Sequence, residues 1–192
     1  MELEGDKVVI SHEDIKRLLL TFWDRRRADV NTKWQRTLPF GDYVVDRWEK
    51  AKQLGFGAGA SIYDSALVYG DVKVGANTWV GPHVILDGKG RLEIGENCSI
   101  AAGVHIYTHD SIDWAVSGGI EDLSYSPTKI GSRCYVGPNT VIAKGVTIGE
   151  GTVIGACSLV LDNVPAGKFA CGQPCRVMRD YRPGSANLEA DN

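Results

Sequence analysis

At 192 residues the chain has room for one main domain with an appendage and is long enough to bury a substantial core. A net charge of −3, with no basic run longer than Arg25-Arg26-Arg27, gives no case for a nucleic-acid partner. No stretch reaches the apolar length of a membrane span, the charged N-terminus does not resemble a signal peptide, and five cysteines, an odd number, fit a reduced, cytoplasmic chain.

Ser11 followed by Asp14 reads as a helix start close to a capping box. Ile15, Leu18, Leu19 and Phe22 then follow at helical spacing, and the Arg25-Arg26-Arg27 triplet is expected at the solvated end of that helix, where cations suit the dipole. A polar connection through Pro39 leads to a second helical candidate, with Val44, Trp48 and Ala51 on one face and Gly55 as its stop. Residues 1–57 are therefore expected to form a helical arm that caps one end of the domain beyond it and contributes to an acceptor pocket.

From Ile62 an aliphatic residue returns at every sixth position: Val68, Val74, Val80 and Leu86, then, after a two-residue slip near Gly90, Ile94, Ile100 and Ile106. The rhythm resumes at Ile130 and continues through Val136, Ile142, Ile148, Ile154 and Val160. A helix would need returns near three and four, and a half-buried strand strict alternation. Period six fits short strands joined by tight corners, three to a coil, with the aliphatic residue pointing into a narrow prism. At about eighteen residues per coil, residues 58–167 make a mainly β, parallel β-helix of four to five coils. Gly often follows the aliphatic residue (Gly75, Gly81, Gly95, Gly131, Gly137) and is expected to supply backbone conformations that other residues resist. Cys98 and Cys134 take the small inward position of their hexads and read as buried thiols, whereas Cys171 and Cys175 make a poor zinc signature.

Between Ile106 and Ile130 the rule fails. Its inward positions would fall on Ile112, Gly118 and Ser124, with Asp110 and Asp122 where small residues belong. Charges do not occupy so narrow a prism alone, so residues 111–127 are expected to leave the coil as an extruded loop, the kind of excursion on which function concentrates. Beyond the coils, residues 168–192 form a return segment and a tail expected to fray from Pro183.

Four histidines are present. His12 belongs to the first helical turn, and His83, His105 and His109 lie in or beside the coils. In the run Val104-His105-Ile106-Tyr107-Thr108-His109-Asp110, alternation turns His105 outward and puts His109 where the loop departs.

Several features together resemble the hexapeptide-repeat acyltransferases, in particular the sugar O-acetyltransferase branch of the galactoside and maltose acetyltransferases. They are the hexads, Thr108-His109 before an excursion, the return Pro127-Thr128-Lys129-Ile130-Gly131, and a closing stretch. That stretch reads Ile154-Gly155-Ala156, Asp162-Asn163-Val164-Pro165 and Gly172-Gln173-Pro174-Cys175-Arg176. The resemblance runs from about Val74 to Arg179. It implies a left-handed β-helix, a homotrimer with sites between subunits, and acetyl-CoA as donor, with no metal. His109 matches the family's catalytic base, which takes the acceptor's proton as oxygen attacks the thioester. Asp110, Glu121 and Asp122 are candidates to orient it. Gly155 and Ala156 would line the pantetheine track, with Arg176, Arg179, Lys144 and Lys168 toward the nucleotide. His83, Trp114 and Asp122 are candidates for the acceptor side. Leu161-Asp162-Asn163 stands where relatives often read Thr-Lys-Asp, so one lysine contact is missing, and Tyr135 stands where Trp is common.

The acceptor implied is a sugar hydroxyl in surface-polysaccharide biosynthesis, with the amine of an amino or nucleotide sugar as the alternative. Two other classes use this scaffold. A zinc carbonic anhydrase would draw on His83, His105 and His109, and a non-catalytic assembly protein would bind no acetyl-CoA.

Overall fold

A computed structural model describes residues 2–4 and 7–184, and the tail beyond Gly184 lies outside the described residues. The chain divides into two compact units, residues 1–46 and 47–192.

The first unit opens with an antiparallel pair, Glu2–Glu4 against Lys7–Val9. Helix α1 (His12–Trp34) starts where Ser11 predicted it: the Ser11 hydroxyl accepts the Asp14 N–H at 3.1 Å and donates to the Asp14 carboxylate at 2.8 Å. The helix does not end at the arginine triplet but continues to Trp34, with Gln35 in the left-handed conformation as its cap. No Gly or Pro lies between Ala28 and Lys33 to break it, and Arg27 pairs one turn back with Asp24 at 3.1 Å. Helix α2 (Phe40–Val44) is short. Its buried Tyr43 accepts the Leu38 N–H on its hydroxyl at 2.8 Å and the Arg26 Nε–H on its carbonyl at 3.1 Å. The expected second helix is thus two, because Val45 turns extended (φ −93°, ψ 120°) and Trp48 and Ala51 belong to a separate helix α3 (Arg47–Gln53).

The second unit begins with α3. Its Ala51 is buried with Phe56, and its Lys50 ammonium donates to the carbonyls of Tyr63, Asp64 and Ala66 at 3.1, 2.9 and 3.2 Å. Three parallel faces follow. The first runs Ser61, Trp79, Ser99, Tyr135, Val153, Phe169 in register. The second runs Leu67, Ile85, His105, Val141, Leu159. The third runs Lys73, Glu93, Lys129, Thr147. Six rungs on the first face enclose five complete coils of a left-handed parallel β-helix. The residue after each of these points inward: Ile62, Val80, Leu86, Ile100, Ile106, Ile130, Ile142, Ile148 and Ile154 are all below 2 % exposed. Cys98 and Cys134 are buried as expected. Thr78, Thr140, Thr152 and Ser158, also inward, spend their hydroxyls on corner carbonyls at 2.7 to 3.0 Å.

The glycines after the aliphatic positions have a different cause from the one expected. Their φ angles are ordinary; left-handed conformations fall instead three residues before the aliphatic position, on Asn77, His83, Asn97, Asn139 and Cys157. At Gly137 a Cβ would lie 2.5 Å from the Ala156 nitrogen of the next coil, so the constraint is close stacking of backbone on backbone.

Candidate active site

The corner between the second and third faces holds the candidate base, His109. In the third coil the chain passes Ile106, turns through Tyr107 and Thr108, and leaves the prism at His109. Strand His109–Asp110 pairs antiparallel with the returning strand Ser124–Tyr125, which sets Tyr125 opposite His109. Between them the loop makes one helical turn, α4 (Ile112–Val116), before the chain rejoins the third face at Thr128. The Tyr125 ring lies on the imidazole, 5.9 Å between centroids and 18° from parallel. His109 is partly exposed, its side chain 22 % accessible.

Beneath it is a residue that the resemblance did not nominate. Asp87, 2 % exposed, places Oδ2 2.5 Å from His109 Nδ1. The same oxygen accepts the Thr108 N–H at 2.9 Å, and Oδ1 accepts the Lys89 N–H at 3.1 Å. The Thr108 hydroxyl donates to the Asp87 carbonyl at 2.8 Å and accepts the Gly90 N–H at 2.8 Å. Burial by itself would raise the Asp87 carboxyl, but the bonds from Thr108, His109 and Lys89 outweigh it and hold the group below its ordinary value, so it is a carboxylate. The signal for Asp87 is the two-residue slip near Gly90. With the slip counted, Leu86 stacks on Ile106, and Asp87 falls beside Tyr107 and Thr108.

The nominated orienting acids lie elsewhere. Asp110 bonds to Lys144 at 2.8 Å, and that ammonium keeps its carboxyl low. Glu121 and Asp122 line an open concavity of about 630 Å³ on the loop, together with Asp113 and Ser117. Trp114 sits on α4, half exposed. His105 bonds to the Tyr107 hydroxyl through Nδ1 at 3.3 Å. His83 occupies a corner between the first and second faces.

The donor-side candidates are on other parts of the prism. Gly155 and Ala156 share with His83 the corner between the first and second faces, so one chain does not bring them to His109. Arg176 begins the last strand of a C-terminal hairpin (Lys168–Cys171 with Arg176–Asp180) and lies 3.5 Å from Asp162. Arg179 stacks 5.1 Å over Phe169, and Lys168 pairs with Asp180. Among the described residues no three His, Cys, Asp or Glu side chains converge as a metal site, and no helix is long and apolar enough to cross a membrane.

Residues 127–162 match the family model for the bacterial transferase hexapeptide (six repeats). The chain is 30 % identical over 125 residues to WcaF of Escherichia coli strain K12, named as a colanic acid biosynthesis acetyltransferase, covering 56 % of this chain and 69 % of that one. It is 31 % identical over 128 residues to the galactoside O-acetyltransferase of the same organism, covering 56 % of this chain and 63 % of the relative. The solved structure of a galactoside acetyltransferase in complex with coenzyme A superposes with a TM-score of 0.60 at 24 % identity, over 85 % of this chain and 82 % of that one, a likeness of fold. The repeats, the prism and a relative matched over more than two thirds of its length agree: the chain belongs to the hexapeptide-repeat acyltransferases.

Proposed function

We propose that this protein moves an acetyl group from acetyl-CoA to a sugar hydroxyl in surface-polysaccharide biosynthesis, with His109 as the general base. The observation that carries the reading is the state of the His109 ring. It sits partly exposed at the loop departure, one nitrogen is committed to Asp87, and Nε2 has no partner among the described residues. That nitrogen takes the acceptor's hydroxyl proton while the oxygen attacks the thioester carbonyl. The C–S bond then breaks, and the proton passes from the imidazolium to the departing CoA sulfur, leaving an acetyl ester and free CoA. Kinship with WcaF and the galactoside enzyme supports a sugar acceptor.

A homotrimer is part of the proposal. His109 and the Gly155–Ala156 track lie on different corners of one chain, so a neighbouring copy is needed to bring donor and base together. The second face supplies a suitable interface. Its outward residues, Leu67, Ile85, Val141 and Leu159 around His105, are apolar, whereas the third face shows Lys73, Glu93 and Lys129 to solvent.

The test is thiol release from acetyl-CoA over a panel of sugars, amino sugars and nucleotide sugars. Turnover with a hydroxyl acceptor is expected, and exclusive turnover of amines would replace O-transfer by N-transfer. His109→Ala is expected to lose about two orders of magnitude or more in turnover while still binding acetyl-CoA. Full turnover in that variant would remove His109 from the base role.

A further inference from the structure

A general base must present a lone pair, and a neutral imidazole has one on only one of its two nitrogens. Which nitrogen carries it is decided by what faces the other. For His109 that partner is Asp87, and the surroundings of Asp87 leave it little freedom. Oδ2 faces the Thr108 N–H as well as His109 Nδ1, and Oδ1 is tied to the Lys89 N–H. Thr108 closes the other side, its hydroxyl on the Asp87 carbonyl and 3.3 Å from Oδ2. A carboxylate fastened at both oxygens and 2 % exposed cannot turn away or be replaced by water.

The slip in the hexads builds this arrangement. The register against Leu67–Val74 shifts between Gly88 and Leu92, where the long strand Ile85–Ile94 has two extra residues, and there the Lys89 N–H folds back on Oδ1 and the Gly90 N–H reaches Thr108. At Gly90 a Cβ would lie 2.3 Å from the Thr108 carbonyl oxygen, so the second coil sits directly on the turn that carries the base. Tyr125 covers one face of the imidazole and limits its rotation. The other acids near the loop are engaged with Lys144 or stand on the loop's far limb.

Resting on the reading of His109 as base, we propose that Asp87 is its positioning residue, accepting the Nδ1–H so that Nε2 keeps the lone pair and faces the acceptor hydroxyl. The Nδ1 proton stays on His109 throughout: the proton taken from the acceptor arrives at Nε2 and leaves from Nε2, and Asp87 balances the imidazolium formed between. Asp87 touches neither substrate.

The first measurement needs no turnover. In wild-type protein with ¹⁵N-labelled histidine, the His109 ring, identified by its loss in His109→Ala, is expected to carry its proton on Nδ1 when neutral. A neutral ring protonated on Nε2 would overturn the proposal. The second is the pH profile of Asp87→Asn. Removing an anion this close makes the imidazolium less stable, so the midpoint of kcat/KM is expected to move about one pH unit or more lower. kcat should fall about 10²-fold or more, with acetyl-CoA affinity retained. A merely structural Asp87 would lower the melting temperature and leave the pH midpoint in place, and that result would also overturn the proposal. Full turnover in His109→Ala would retire the base and leave the tautomer measurement to decide Asp87, so the two readings fail separately.

Discussion

Replacing Gly90 by alanine tests whether the slip between the second and third coils holds the corner of the proposed base in shape. The added Cβ would lie 2.3 Å from the Thr108 carbonyl oxygen and 3.1 Å from the Ser126 nitrogen. Both are backbone atoms, so neither can swing aside, and the coils must part locally by roughly 1.1 Å to reach ordinary contact. Overpacking of this kind costs about 1–3 kcal/mol. For a chain of this size that lowers the melting temperature by about 2–12 °C. The parting stretches the Gly90 N–H bond to Thr108 and shifts the residue next to His109. A displacement approaching 1 Å at a reacting group is worth about 10² in rate. Differential scanning calorimetry and thiol-release kinetics on the purified variant measure both effects. A Gly90→Ala protein with wild-type melting temperature and wild-type kcat would refute the claim that this contact is rigid and that it reaches the site.

Two more expectations follow from the same geometry. The folded carboxyl of Asp87 lies below its unfolded value, so the stability it contributes is complete above about pH 4, the ordinary carboxyl range, and is lost as acid carries the pH through the lower folded value. Denaturant midpoints between about pH 5 and 2 should therefore fall toward acid in the wild type and fall less steeply in Asp87→Asn. Asp110 and Asp180 are lowered as well but lie at the surface and add little to that slope. Val141→Glu puts a charge in the apolar ladder of the second face, next to His105 and Leu159, and should reduce the mass measured by light scattering from that of the proposed trimer to that of a monomer. A trimer that persists unchanged would move the interface to another face.

Much of the prism could be read from one dimension because each coil repeats the same steric problem. The space inside admits one aliphatic side chain per side, so Ile100, Ile106 and Ile130 announce their burial by spacing alone. The failure of that spacing after Thr108-His109 likewise located the loop, because Asp110 and Asp122 cannot enter the prism. Helix α1 was legible at its start, where Ser11 caps locally, and not at its end, because nothing after the arginine triplet forces a stop.

The partner of His109 depended on the tertiary structure. Asp87 lies 22 residues before the histidine, and the two meet only because the slip re-registers one coil on the next, stacking Leu86 on Ile106. The acids close in sequence were the natural candidates, yet Asp110 turns to Lys144 across the coils. The glycines show the same division. Their positions are visible in the repeat, but whether each supplies a left-handed angle or yields space to the backbone above depends on how near the next coil lies. Sequence alone thus determined which residues point inward and where the regular wall is interrupted, since both follow from local spacing. Only the folded chain decided which side chains meet across coils, because that rests on the height and phase of one coil over another, a relation that no single hexad contains.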